Sequence, residues 1–163
     1  MPHILFVCTA NICRSPVAAA LLRQKLEANG HTPSDWVVQS AGTWATIKRG
    51  PSRFSTQLMA ERGMDISRHR AKMIDEKMLA QADLVLCMET GHVEALKIEF
   101  PQFRDRIFTL SEMVDKPYSI ADPYGGPLEE YQRMVADVED LIDAGFERMV
   151  ALAEENADKR AES

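Results

Sequence analysis

Cysteine is scarce in this chain, and none of it is spaced for a scaffold. Three cysteines, Cys8, Cys13 and Cys87, occur in 163 residues, with no Cys-x-x-Cys pair. So odd and small a set argues against a disulfide-stapled secreted fold and against a structural zinc site. Long apolar runs are missing as well: none approaches the ~20 residues that cross a bilayer. The N-terminus has no basic segment followed by a long apolar core, so no signal peptide is read there. A cytoplasmic protein with no membrane partner is the expectation. Positive charge is in deficit, 19 Lys and Arg against 25 Asp and Glu for a net charge of −6. That balance argues against a broad nucleic-acid surface, though a small positive pocket can still hold phosphate. Repeats, linkers and low-complexity blocks are absent. The chain therefore reads as one domain over 1–155, long enough to bury a core, followed by a polar, frayed tail over 156–163.

What is present alternates strand and helix. Residues 3–8 read as a buried strand, and 36–39, 82–88 and 106–110 as three more. Helical patterns fall between them, from Ser15 to about Asn29, over 52–62 and 89–99, with a short one at 75–81. Ser40-Ala41-Gly42-Thr43 reads as a small-residue turn. A long loop precedes a last helix whose Tyr131, Val135, Val138 and Met149 share a side. This order predicts an α/β fold: a single three-layer domain, a four-stranded parallel sheet with helices on both faces. Ligands bind such sheets at the carboxyl ends of the strands. The loops after Cys8, Gln39 and Cys87 all leave such ends and should meet at one crevice.

The stretch with chemistry in it is Cys8-Thr9-Ala10-Asn11-Ile12-Cys13-Arg14-Ser15. A cysteine closes the first strand, and an arginine follows five residues beyond it at a helix start. Backbone N–H groups of Thr9, Ala10, Asn11, Ile12, Cys13 and Ser15 can converge on an anion there, aided by the helix dipole. The same field favours an anionic sulfur at Cys8. Arg14 offers a planar fork that grips two phosphate oxygens. Read alone, Cys8 is also compatible with an inert buried thiol, and Ser15 is equally a helix cap or a hydroxyl aimed at the Cys8 sulfur. Asp122-Pro123-Tyr124 by itself is a common turn.

Taken together, the Cys8–Pro16 motif and Asp122-Pro123-Tyr124 resemble the low-molecular-weight protein tyrosine phosphatases. The Ser40–Thr43 turn and Ser67-Arg68-His69-Arg70 share that resemblance, which extends to about residue 154. Ala10 stands where the family usually has glycine, and Asn11 beside it tolerates the left-handed bend. The resemblance implies a phosphotyrosine hydrolase with Cys8 as nucleophile, Arg14 as phosphate clamp and Asp122 as general acid and base. It implies no cofactor and no metal. It also implies that Asn11, Ser15, Ser40 and His69 hold the loop through hydrogen bonds; read without it, His69 is a solvated loop histidine.

Trp44 and Tyr124 are candidate walls for a substrate ring, although Trp44 is equally an ordinary packing residue. Ile12 offers an apolar contact and leans toward phosphotyrosine, since relatives that prefer phosphoarginine carry threonine at the matching place. Cys13 is either a disulfide partner for Cys8 or a small buried side chain. Cys87 reads as core, and Asp83 and Glu89 as ordinary strand-end residues. The implied partner is a phosphotyrosine protein, with a cognate tyrosine kinase. Two other activities fit the loop: a thiol-dependent arsenate reductase of the same fold, and a non-catalytic phosphate binder or phosphocarrier.

Overall fold

The computed structural model describes residues 1–162. Four parallel strands, β1 (His3–Cys8), β2 (Val37–Gly42), β3 (Leu84–Cys87) and β4 (Ile107–Thr109), form one sheet in the order β2-β1-β3-β4. Around it lie α1 (Arg14–Ala28), α2 (Arg53–Glu61), α3 (Glu76–Gln81), α4 (Thr90–Glu99) and α5 (Leu128–Glu162). The expected α/β architecture holds. Side chains of β1 alternate across the sheet, as the two-residue period of a strand requires. Ile4, Phe6 and Cys8 join the core under α1 and α5. Leu5 and Val7 join Val85, Cys87, Val93, Leu96 and Ile107 on the other face. The three layers therefore follow directly from a strand that is apolar on both sides.

Four local expectations are corrected. Ser40-Ala41-Gly42 is not a turn but the end of β2, with Phe6 opposite Ser40 and Cys8 opposite Gly42. Small polar residues carry little strand propensity, and pairing with the central strand overrides it. Gly42 is required there, because a Cβ would lie 2.5 Å from the Thr9 carbonyl oxygen. Ser15 is not the cap of α1: Cys13 holds that position without a side-chain bond, and Ser15 sits in the first turn.

The tail is not frayed, since α5 runs on to Glu162. Asp83, read as an ordinary strand-end residue, is why. It is fully buried before β3, and its carboxylate accepts from Arg160 Nε at 2.8 Å, from Arg160 Nη2 at 3.0 Å and from the His3 backbone N–H at 2.8 Å. Asn156 Nδ2 adds a bond of 2.8 Å to the Asp83 carbonyl. This clamp lies at the end of the sheet opposite the Cys8 loop. Asp83→Ala is expected to cost about 2–3 kcal/mol in denaturant unfolding, because it orphans a buried N–H and the Arg160 fork together. A loss under about 0.5 kcal/mol would show that α5 docks without the clamp.

Candidate active site

In the order β2-β1-β3-β4 the succession of strands changes side between β1 and β3. Open α/β sheets bind ligands at such a switch point. The loop after β1 and the residue two beyond β3 both end there. In the loop, Asn11 adopts φ +59° while Ala10 stays out of the left-handed region. The bend thus falls on the residue type that tolerates it, and the Cβ of Ala10 is accommodated.

Buried side chains hold this bend from behind. Asn11 Nδ2 donates to Ser15 Oγ at 2.8 Å and to Ser40 Oγ at 2.9 Å, while its Oδ1 accepts from the Lys72 N–H at 3.0 Å. His69 Nε2 donates to the Asn11 carbonyl at 2.6 Å. Burial holds the His69 imidazole below its ordinary range, with the Asn11 contact opposing that shift and Lys72 adding to it. The expected quartet of Asn11, Ser15, Ser40 and His69 is therefore brought together. Ser15 Oγ also lies 2.9 Å from Cys8 Sγ. Asn11 already donates to that oxygen, which leaves the Ser15 proton free to point at the sulfur.

Arg14 is 1% exposed, unusual for an arginine in a first helical turn. Its Nη1 donates to the Ile120 carbonyl at 2.8 Å, which ties the Asp122 loop to the Cys8 loop. Nη2 lies 2.8 Å from Glu89 Oε2, 3.5 Å from Asp122 Oδ2 and 3.4 Å from Thr9 Oγ1. Nε is buried with no hydrogen-bond partner among the described residues. A buried donor left unpaired inside such a loop marks a place for an acceptor. Asp122 is 44% exposed by side chain, and its Oδ1 accepts the Tyr124 N–H at 3.1 Å. That turn leaves Oδ2 facing the arginine.

Glu89 belongs to this group, contrary to its reading as an ordinary residue. Besides Arg14 it contacts Thr9 Oγ1 at 3.5 Å and His92 Nε2 at 3.6 Å, and His92 Nε2 is 3.0 Å from Thr9 Oγ1. Burial keeps the His92 imidazole below its usual range, although the Glu89 charge works against that shift. The pairing of β1 with β3 puts Val7 opposite Cys87, which carries residue 89 alongside the loop. Its position just past the strand at the switch point was the one signal in the sequence.

Other candidates are more scattered. Trp44 is 80% exposed and Tyr124 is 56% exposed, so neither is a packing residue. Tyr124 accepts from Arg49 Nη2 at 3.4 Å, and the guanidinium lies 5.5 Å from its ring centroid. Ile12, expected as an apolar contact for a substrate ring, is 1% exposed and packs into the core beneath the loop. Its place under the bend, where the chain turns back into α1, buries it. Cys13 Sγ lies 3.4 Å from Tyr131 Oη, and burial pushes its thiol up. All three cysteines are free thiols. Cys87 is fully buried on the sheet face opposite Cys8, and burial raises its thiol strongly. No cluster of three His, Cys, Asp or Glu able to hold a metal occurs among the described residues.

The chain is similar to known proteins over nearly its whole length. It is 37% identical to a protein-arginine-phosphatase of Geobacillus stearothermophilus, over 91% of this chain and 97% of the relative. It is 36% identical to a probable low molecular weight protein-tyrosine-phosphatase, EpsP, of Ralstonia nicotianae, again over 91% of this chain and 97% of the relative. Among solved structures, the low molecular weight protein tyrosine phosphatase of T. tengcongensis superposes with a TM-score of 0.84 at 40% identity, over 91% of this chain and 99% of that one. The family model described as low molecular weight phosphotyrosine protein phosphatase matches residues 3–157. The chain therefore belongs to the low molecular weight phosphotyrosine protein phosphatase family, a family of phosphatase enzymes.

Proposed function

We propose that this phosphatase hydrolyses phosphotyrosine in proteins through a cysteinyl-phosphate, with Cys8 as nucleophile, Arg14 as clamp and Asp122 as acid and base. The observation that carries the reading is the Ser15 hydroxyl 2.9 Å from the Cys8 sulfur, with Arg14 fixed beside the same loop. Cys8 sulfur attacks phosphorus, and the bond to the tyrosine oxygen breaks. That oxygen takes the Asp122 proton, since tyrosinate, with a phenol pKa near 10, leaves poorly. Asp122 then accepts a proton from water as its oxygen attacks phosphorus. The sulfur–phosphorus bond breaks, phosphate departs, and the sulfur anion returns to the Ser15 hydrogen bond. Arg14 and the loop N–H groups oppose the charge on the equatorial oxygens in both steps. The partnerless Arg14 Nε supplies a donor for one of them.

Glu89 contributes by holding Nη2, which orients the fork before substrate arrives. The exposed rings of Trp44 and Tyr124 flank the mouth and favour an aryl phosphate. Arsenate reduction fits less well, because Cys87 lies across the sheet from Cys8, and the remaining thiol, Cys13, is buried against Tyr131 rather than placed to pass a disulfide outward. A phosphocarrier has no use for an acid beside the phosphate, where Asp122 stands. A tyrosine kinase acting on the same protein is the partner this chemistry calls for. Free thiols suit a reducing compartment such as the cytoplasm, and among the described residues no helix is long and apolar enough to cross a membrane.

Phosphate release from matched phosphotyrosine and phosphoarginine peptides tests the choice of acceptor. At least about tenfold higher kcat/KM is expected for phosphotyrosine. A preference of that size for phosphoarginine would transfer the activity to the other named group of relatives.

A further inference from the structure

Charge is distributed very unevenly around the mouth of the site. Residues 43–56 and 66–74 hold six cations, Lys48, Arg49, Arg53, Arg68, Arg70 and Lys72, out of 19 in the chain, and none of its 25 acids. All six are exposed, and none lies within ion-pair distance of a carboxylate among the described residues. Asp65 and Asp75 bound the second segment, Arg68 faces α1 beside Asp65, and Lys72 faces α1 and the His3 end of β1, which leaves Lys48, Arg49, Arg53 and Arg70 as the cations of the shelf. The two segments form one surface. Lys48 N–H donates to the Ala71 carbonyl and Ala71 N–H to the Arg49 carbonyl, each at 2.8 Å. Gly42 N–H reaches the Lys72 carbonyl at 2.8 Å, and Ile74 N–H the Gly42 carbonyl at 2.9 Å.

This surface is attached to the nucleophile loop itself. Thr43 N–H donates to the Cys8 carbonyl at 3.0 Å, Trp44 N–H to the Thr9 carbonyl at 2.9 Å and Ser52 N–H to the Ile12 carbonyl at 2.9 Å. Trp44 and Ile47, 80% and 64% exposed, stand among the cations. A protein of net charge −6 thus presents a fixed cationic shelf with two apolar side chains, bonded to the loop that receives phosphate.

We infer that this shelf selects the substrate: it docks the acidic chain segment flanking the phosphorylated residue, with Trp44 and Ile47 contacting an apolar side chain nearby. The inference rests on the phosphatase reading above. Charge complementarity identifies the occupant. The shelf attracts acidic segments, while the acidic remainder of the surface repels them, so encounter is steered toward the mouth. Because these charges are exposed, their attraction reaches about 10 Å at moderate ionic strength and is screened by salt.

The test compares three substrates on one enzyme preparation: p-nitrophenyl phosphate, a phosphotyrosine peptide flanked by Asp and Glu, and its counterpart flanked by Lys. The readout is the ratio of kcat/KM between the two peptides, which is independent of how much enzyme is folded. The acidic peptide is expected to win by at least about tenfold at low ionic strength. That ratio should shrink toward unity in about 0.5 M salt. The variant carrying Lys48→Glu, Arg53→Glu and Arg70→Glu should reverse the order. The salt series on the unaltered enzyme stands by itself should that variant fail to fold.

Hydrolysis of p-nitrophenyl phosphate with equal or salt-insensitive rates on the two peptides would overturn the shelf and leave the phosphatase intact. Equal peptide rates together with sedimentation on phosphatidylserine vesicles would assign the shelf to a lipid surface and equally overturn the inference. Failure to hydrolyse p-nitrophenyl phosphate would remove the phosphatase reading, and the shelf's role with it.

Discussion

Replacing Cys8 with alanine is expected to abolish turnover, lowering kcat on an aryl phosphate by on the order of 10⁴ or more. The side chain is 2% exposed, lies on the α1 face of β1 and contacts Ser15 Oγ at 2.9 Å. Alanine removes the nucleophile and leaves the Asn11–Ser40–His69 bracing in place, since those bonds do not pass through the sulfur. The variant should therefore still bind phosphate, measurable by calorimetry, while releasing none from substrate. Retention of a tenth of the activity would show that another group attacks phosphorus.

Asp122→Asn is expected to lower kcat by about 10²–10⁴ on phosphotyrosine or another phenolic ester with a poor leaving group. The amide preserves the turn, because its oxygen can still accept the Tyr124 N–H that Asp122 Oδ1 accepts at 3.1 Å. What is lost is the proton that the outward oxygen, Oδ2, delivers. Two consequences separate this from a general disturbance. The loss should shrink on esters whose leaving group needs no proton, and one limb of the kcat pH profile should disappear. A uniform loss across leaving groups, with both limbs retained, would show that Asp122 only positions Arg14, to which Oδ2 is 3.5 Å away.

Read from the residues alone, the legible parts of this site were those written contiguously; Asp122, Ser40 and His69 entered through the family resemblance. Strand, loop and helix from His3 to Ala28 follow one another, so Cys8, Arg14 and the bend at Asn11 could be placed from residue order and backbone preference alone. The order of strand and helix likewise gave the layered sheet. Features made by register were not legible. Glu89 meets Arg14 only because β3 pairs in parallel with β1, a neighbour relation that spacing along the chain does not encode. Ser40 looked like a turn because a polar small residue says nothing of the central strand beside it. The burial of Ile12 reflects the fold beneath the loop, and that of Asp83 an arginine 77 residues away. In each case the partner is distant in sequence and decides the environment.

The shelf of cations was visible as residues but not as a surface. Arg70 and Lys48 are far apart in the chain, and backbone bonds such as Lys48 N–H to Ala71 and Ala71 N–H to Arg49 bring their segments side by side. A net negative charge hid it further, since a total carries no map.

Rapid acid quenching during turnover of a phosphotyrosine peptide, followed by mapping of the phosphorylated residue, tests the proposed chemistry most directly. Phosphate carried on the sulfur of residue 8, appearing before free phosphate and decaying with water, is the expected result. Water oxygen entering phosphate with no covalent species formed, or a label on any other side chain, would contradict it.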